Sequence, residues 1–471
     1  MNEKIMLMAA AAVFATGKAV AKEDKPNVLV FIADDSGKDF GCYGNTVVQT
    51  PHIDKLRASG LLIRNAFVTT PQSSPSRIAM MTGMYGHTLG VEDLGTPIEP
   101  GTRMIPSYIK ENGYYTGAML KTHWGDVGTK QFDFYFNGRN DIYSEPYMTS
   151  GNKFFKKYEE FLDRAADKPF FLWCAFIDPH RPYREPHTEA VHKASDVAVP
   201  PYCVDGGATR QDFADYYDEI HRLDQHVGFM LEELERRGLR ENTVVIFLSD
   251  NGLPFIRGKA FLYDKGIETP MIVSWPGHVK AGSEHSSGLV STIDMAPTIL
   301  DLCGVSVPSQ MYGKSLKPLF LNPDLPGRSE IYAERNYHDN EDYMRCIRTE
   351  KYKLIYNAYP YQLPGISADM TKSGTWWDLM AAKKNGLLTE AQSRFFVFPR
   401  PSIELYDLEA DPLELNNLAY DGDYVEVVRD LLSKLRKWQK DTQDTDYWEK
   451  ERMDNVDRVT GMPLMPLKRA K

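Results

Sequence analysis

The run Val28-Leu29-Val30-Phe31-Ile32-Ala33 is apolar throughout and ends abruptly in Asp34-Asp35. Such near-continuous apolar character fits a central strand covered by helices on both faces. Similar runs recur at Thr116 to Leu120, Phe170 to Ile177 and Val244 to Ser249. Helix-like stretches lie between them at Ile53 to Ser59, Met104 to Glu111, Lys153 to Ala166 and Asp212 to Arg237. The alternation predicts an α/β fold built on a doubly wound, mostly parallel sheet. After about residue 340 the pattern changes. Met344 to Asn357 reads as two short strands around Thr349-Glu350, a polar irregular stretch follows, and Tyr424 to Thr442 is an amphipathic helix. The expected organisation is therefore a catalytic domain over 22–340 and a smaller C-terminal α+β subdomain over 341–471, with no internal repeat.

Polar residues follow each strand-like run. Asp34-Asp35 follow the first, Lys121 and His123 the second, Asp178 and His180 the third, and Asp250-Asn251 the fourth. Each cluster has an ordinary explanation: Asp is a favoured helix cap, Asp-Asn-Gly makes a plain turn, and the other two segments read as exposed loop ends. Ligands in open α/β sheets bind outside the carboxyl ends of the strands, so four such clusters converge on one place. Independent explanations do not account for that convergence. Three carboxylates, Asp34, Asp35 and Asp250, with the Asn251 side-chain oxygen form a hard ligand set suited to Ca²⁺ or Mg²⁺. The larger, flexible Ca²⁺ shell best admits substrate oxygens as well. No Cys/His pattern points to structural zinc.

Between the first two strands lies Ser73-Ser74-Pro75-Ser76-Arg77, followed by Thr82-Gly83. On its own it reads equally as a Ser-Pro turn ahead of a helix. It also resembles the activation signature of type I sulfatases, whose first residue, a cysteine or in some bacterial members a serine, is oxidised to formylglycine. A serine hydroxyl is a weak nucleophile, whereas an aldehyde hydrate offers one oxygen to attack sulfur and a second whose deprotonation expels sulfate. The resemblance extends to Asp34-Asp35, Thr50-Pro51-His52-Ile53-Asp54, Lys121-x-His123, Pro179-His180, Asp250-Asn251-Gly252, Lys259 with Tyr263, Glu404-Leu405-Tyr406-Asp407, Asp411-Pro412 and Asn417-Leu418. It implies an alkaline-phosphatase-like fold with a mixed sheet. Within that family the chain is similar to the heparan N-sulfatases (sulfamidases) at Ala175 to Arg181, Ser249 to Phe255 and Lys437-Trp438-Gln439. It departs from the animal members in having Ser73 for Cys, Ile177 for His and Lys259 for Arg.

The resemblance implies a role for each residue. Oxidised Ser73 attacks sulfur, and one Ca²⁺ held by Asp34, Asp35, Asp250 and Asn251 polarises the sulfate oxygens. Arg77, Lys121 and Lys259 balance charge on the sulfuryl group. His180 protonates the leaving atom, and His123 orients or deprotonates the hydrate. Asp178 and His338 bind the sugar. The implied partners are a sulfated saccharide from a glycosaminoglycan, with N-sulfated glucosamine of heparan or heparin first among them, and a serine-type formylglycine-generating enzyme. Three readings stay open: an N- or O-sulfatase, a phosphatase or phosphodiesterase of the same superfamily using Ser73 directly, and a non-catalytic binder of sulfated saccharide. The Pro75-x-Arg77 context and a ligand set for one metal favour the first.

Residues Met1 to Ala21 carry Lys4, an apolar stretch from Ile5 to Phe14 and small residues at Ala19 and Ala21. They read as a secretory signal peptide, too short to span a membrane, so an exported and periplasmic enzyme without membrane insertion is expected. Five cysteines with no CxxC pair leave at least one thiol unpaired, and Cys174 and Cys303 read as buried small hydrophobes. A net charge of -10 argues against nucleic acid as a partner, so an anionic substrate must be met by a local cluster of cations and metal. At 471 residues and 42% hydrophobic content the chain can bury a large core and a second smaller one.

Overall fold

Asn27–Ala33 forms a central strand of an eight-stranded sheet. In the computed structural model residues 25–138, 152–183, 189–446 and 459–463 are described, and the signal peptide expected over 1–21 lies outside them. Across the sheet the strands run Ser283–His285, Leu61–Ile63, Met271–Ser274, Thr243–Ser249, Asn27–Ala33, Phe170–Ala175, Tyr115–Leu120 and Phe134–Phe136. All neighbours pair in parallel except Met271–Ser274, which is antiparallel to both of its own. The sheet is therefore mixed.

Alternate residues of the first strand feed two different cores, which is why the run is apolar without a break. Val28, Val30 and Ile32 join Trp173 and Ile246 on one face, under the helices Ser73–Thr82 and Met295–Leu302. Leu29 and Phe31 join Leu172 and Phe247 on the other, under Lys153–Ala165 and Gly207–Arg236. Each fully buried Val, Leu, Ile or Phe contributes about 1.5–3 kcal/mol, and Phe31→Ala would cost about 3–5 kcal/mol through the cavity it leaves. All five cysteines are free, and Cys174 and Cys303 are buried.

The second unit is a four-stranded antiparallel sheet in the order Glu330–His338, Asn340–Thr349, Tyr352–Asn357 and Ile403–Asp407. Its first strand starts ahead of the 340/341 boundary expected from sequence. That strand alternates poorly because Glu334 and Arg335 are both buried in it. The helix Val425–Asp441 lays Leu431, Leu435 and Trp438 on Ile347, Leu354 and Leu405. Glu334 N donates to Thr69 O at 2.8 Å, and the Arg335 guanidinium donates to Ala260 O. The small sheet thereby braces the two loops leading to Ser73 and Lys259.

Candidate active site

Backbone bonds stitch three strand ends together. Asp250 N donates to Ala33 O at 3.1 Å and Asp34 N to Asp178 O at 2.9 Å. At Asp35 the chain turns with φ of 66°, a left-handed conformation that Asp tolerates better than most residues, and its N–H reaches Asp250 Oδ1 at 3.0 Å. Asn251 Nδ2 donates to Asp35 Oδ1 at 2.9 Å, while Asn251 Oδ1 is buried with no hydrogen-bond partner among the described residues. Buried polar atoms are nearly always paired. An amide oxygen left over beside three carboxylates suits a hard cation.

Ser73 opens the helix Ser73–Thr82 behind the extended Gln72, so it sits at the positive end of a helix dipole. Its Oγ donates to Asp34 Oδ1 at 3.1 Å. One turn on, and hence on the same helix face, Arg77 donates Nε to Asp250 Oδ2 at 2.9 Å and Nη1 to Lys121 O at 3.0 Å. Lys121 Nζ donates to Asp34 Oδ2. On the far side Lys259 Nζ lies 2.7 Å from Asp35 Oδ2, 2.9 Å from Asp369 Oδ2 and 3.3 Å from His180 Nε2. The His180 Nδ1 meets the Arg181 carbonyl, which only accepts, so Nδ1 carries the proton and Nε2 accepts from the Lys259 ammonium.

Asp34 and Asp250 do not titrate alike. Burial pushes Asp34 up, but Lys121, His180, Arg77 and Lys259 outweigh it and hold the carboxyl well below the usual range. Burial and the neighbouring Asp34 and Asp35 push Asp250 up to about 6 against the pull of Arg77. Like charges crowded into one site split in this way. A divalent cation among them would relieve the repulsion. Burial, and then Lys259, push His180 down. Asp34, Asp35 and His180 each offer an atom within 4.8 Å of the others, a group able to hold a metal.

Most of the expected residues therefore meet: Asp34, Asp35, Ser73, Arg77, Lys121, His180, Asp250, Asn251 and Lys259 form one connected cluster. His123 stands two residues beyond Lys121, partly buried, with φ of 61°. His338 is buried, with Nδ1 3.0 Å from Asp339 Oδ2, and Asp339 also accepts from Ala368 N at 2.8 Å beside Asp369. Asp178 departs from expectation. Both of its carboxylate oxygens are taken by Arg222, at 2.9 and 2.7 Å, in the buried interior, so the group braces the strand end and is not offered to a sugar. Sequence reasoning missed Asp369 and Arg222. The first sits in a polar stretch without periodicity, and the second is one charge among many on a long helix.

The family model described as Sulfatase matches residues 26–305, and that of the N-sulphoglucosamine sulphohydrolase C-terminal region matches residues 256–364. The chain is 31% identical to human N-sulphoglucosamine sulphohydrolase, over 89% of this chain and 90% of that one. It is 29% identical to an ulvan-active sulfatase of Formosa agariphila, over 88% of this chain and 75% of that one. Among solved structures, an enzyme in complex with its substrate D-glucosamine-2-N,6-O-disulfate superposes with a TM-score of 0.68 at 22% identity, over 90% of this chain and 99% of that one. That last likeness shows the fold.

Proposed function

The chain belongs to the sulfatase family, and on that premise we propose that it hydrolyses the N-sulfate of glucosamine at the non-reducing end of short heparan or heparin fragments. The reaction breaks the N–S bond of a sulfamate and forms an S–O bond to the oxygen of water, releasing sulfate and an ammonium sugar. What carries the reading is Ser73 Oγ, 3.1 Å from Asp34 Oδ1 at a helix N-terminus, in a carboxylate cluster paired with Arg77, Lys121 and Lys259, in a chain similar along nearly its whole length to a glucosamine N-sulfatase.

In this reading Ser73 is the precursor of formylglycine, made by a serine-type maturation enzyme, and its Oγ marks where one hydrate oxygen would stand. When oxidised, the side chain supplies a geminal diol as nucleophile. One Ca²⁺ would be held by Asp34, Asp35, Asp250 and Asn251 and would supply Lewis-acid polarisation of the sulfate oxygens. The helix N-terminus and the cations Lys121 and Lys259 meet the sulfuryl oxygens as charge builds on them. A sulfamate leaves as an amine only when its nitrogen is protonated, and the hydrogen-bonded pair Lys259 and His180 is the proton source beside it. Arg77, bonded to Asp250 and to the Lys121 carbonyl, fixes these groups in place. We take the enzyme to be exported and periplasmic, with 1–21 removed.

The test is a panel of mono- and disaccharides sulfated at N, 2-O, 3-O, 4-O or 6-O, given to protein matured in its own host. N-sulfoglucosamine should turn over fastest. Faster release from any O-sulfated sugar would refute the N-sulfate specificity and leave the sulfatase activity standing.

A further inference from the structure

Beside the catalytic cluster opens a cavity of about 600 Å³ whose walls include Arg181, Tyr183, Asp212, Asp369, Lys372 and Trp377. Two of these residues tie it to the reacting centre. Asp369 accepts from Lys259 Nζ at 2.9 Å, and Arg181 directly follows His180. At its rim Trp377 leaves 61% of its surface exposed on the helix Gly374–Lys384. An indole of that exposure beside a concave wall next to an active site is an anchor for a flat apolar ligand face. We propose that this cavity seats the sugar ring joined to the sulfated one, with the Trp377 ring as its stacking platform.

The platform is held rigidly to the catalytic wall. Asp212 Oδ2 accepts from Arg181 Nη2 at 2.8 Å and also from Thr375 Oγ1 at 2.6 Å and Thr375 N at 3.1 Å, two residues before Trp377. Asp378 of the same helix accepts from Thr209 N at 2.7 Å. One buried carboxylate thus fixes both the wall next to His180 and the helix that carries the indole. The charges favour a ring over a second sulfate, because the walls set the carboxylates Asp212, Asp215 and Asp369 against the cations Arg181 and Lys372, and Arg181 is already paired with Asp212. The site reads ring shape and hydroxyls, so the enzyme prefers a disaccharide to its sulfated monosaccharide.

The proposal rests on the saccharide-sulfatase reading and fails separately from it. Initial rates are measured with N-sulfoglucosamine, and with the disaccharide bearing it at the non-reducing end, for wild type, Trp377→Ala and Trp377→Phe. If the panel reveals a different sulfated sugar, its mono- and disaccharide are used instead. The ratio of kcat/KM for disaccharide over monosaccharide should fall about tenfold in the Ala variant and be largely retained in the Phe variant. An unchanged ratio in the Ala variant overturns the site. If wild type hydrolyses no sulfated sugar, the functional reading fails. The cavity is then judged by titrating the unsulfated disaccharide against indole fluorescence, where a response equal in wild type and Trp377→Ala overturns it.

Discussion

Asn251 gives its Nδ2 hydrogen to Asp35 Oδ1 at 2.9 Å and keeps its own Oδ1 buried and, among the described residues, unpaired. The amide nitrogen, which also donates to Gly252 O at 2.9 Å, is thereby committed, and the oxygen is the ligand atom left over. Removing that oxygen takes away a ligand, and removing the Asp250 carboxylate, which repels its neighbours, takes away both a ligand and the charge a cation would relieve. Saturating Ca²⁺ should raise the melting temperature of the wild type, with about 2.7 kcal/mol of stabilisation at a hundredfold excess over Kd. Asp250→Ala should abolish turnover and lose the Ca²⁺-dependent shift, and Asn251→Ala should weaken it. If chelation and Asp250→Ala both leave the rate intact, no metal acts here.

Ser73 is buried against Asp34, and a bare hydroxyl there is a poor nucleophile. Active protein from the native host should yield a Ser73 peptide lighter by two hydrogens, and protein from a host without a serine-type maturase should be nearly inactive. Ser73→Ala should fold with an unchanged melting temperature and no activity. Full activity with an unmodified Ser73 would return the chain to direct alkoxide chemistry.

Glu334 accepts from His87 Nδ1 at 2.8 Å and from His87 N at 3.2 Å, tying the first strand of the small sheet to the catalytic half. Burial pushes its carboxyl up, but His87 and Arg345 bring it down from 4.5 to about 2. The unfolded chain then takes up this proton before the folded one does. The stabilisation is complete above the unfolded value and is lost as pH falls toward the folded one, on the order of 3 kcal/mol in all. Thermal melts of Glu334→Gln should show a lower melting temperature at neutral pH and a flatter decline between about pH 5 and about pH 3. An identical slope in both proteins would rule this pair out.

The central strands were legible because a strand buried on both faces must be apolar at every position, as Val28 to Ala33 is. The convergence of Asp34, Lys121 and Asp250 followed from strand ends sharing one edge. Met271–Ser274 was not legible: four residues between Pro270 and Trp275 carry too short a pattern to separate a strand from a loop. Glu330–His338 was hidden by its buried charges, which are stable only through partners distant in sequence such as His87 and the Ala260 carbonyl. The same blindness misassigned Asp178. Nothing local says which strand-end carboxylate meets an arginine 44 residues away.

That pairing separates two roles for Asp178. A carboxylate that contacts sugar would be spared structurally and its loss would raise KM. Here Arg222 grips both oxygens while the Asp178 carbonyl receives the Asp34 N–H at 2.9 Å, so the residue acts by holding Asp34 in place. Arg222→Met leaves two buried carboxylates, Asp178 and Glu219, without their cation, which costs about 3–5 kcal/mol or more. Asp178→Asn leaves the guanidinium short of a charge and should be milder. Both should lower the melting temperature, with Asp178→Asn lowering kcat and leaving KM within about twofold of wild type, since lost positioning weakens the transition state more than substrate binding. Arg222→Lys should recover part of the stability without restoring the two-point grip. Steady-state kinetics and thermal denaturation of the three variants decide: a large rise in KM at an unchanged melting temperature for Asp178→Asn would put that carboxylate back against the sugar.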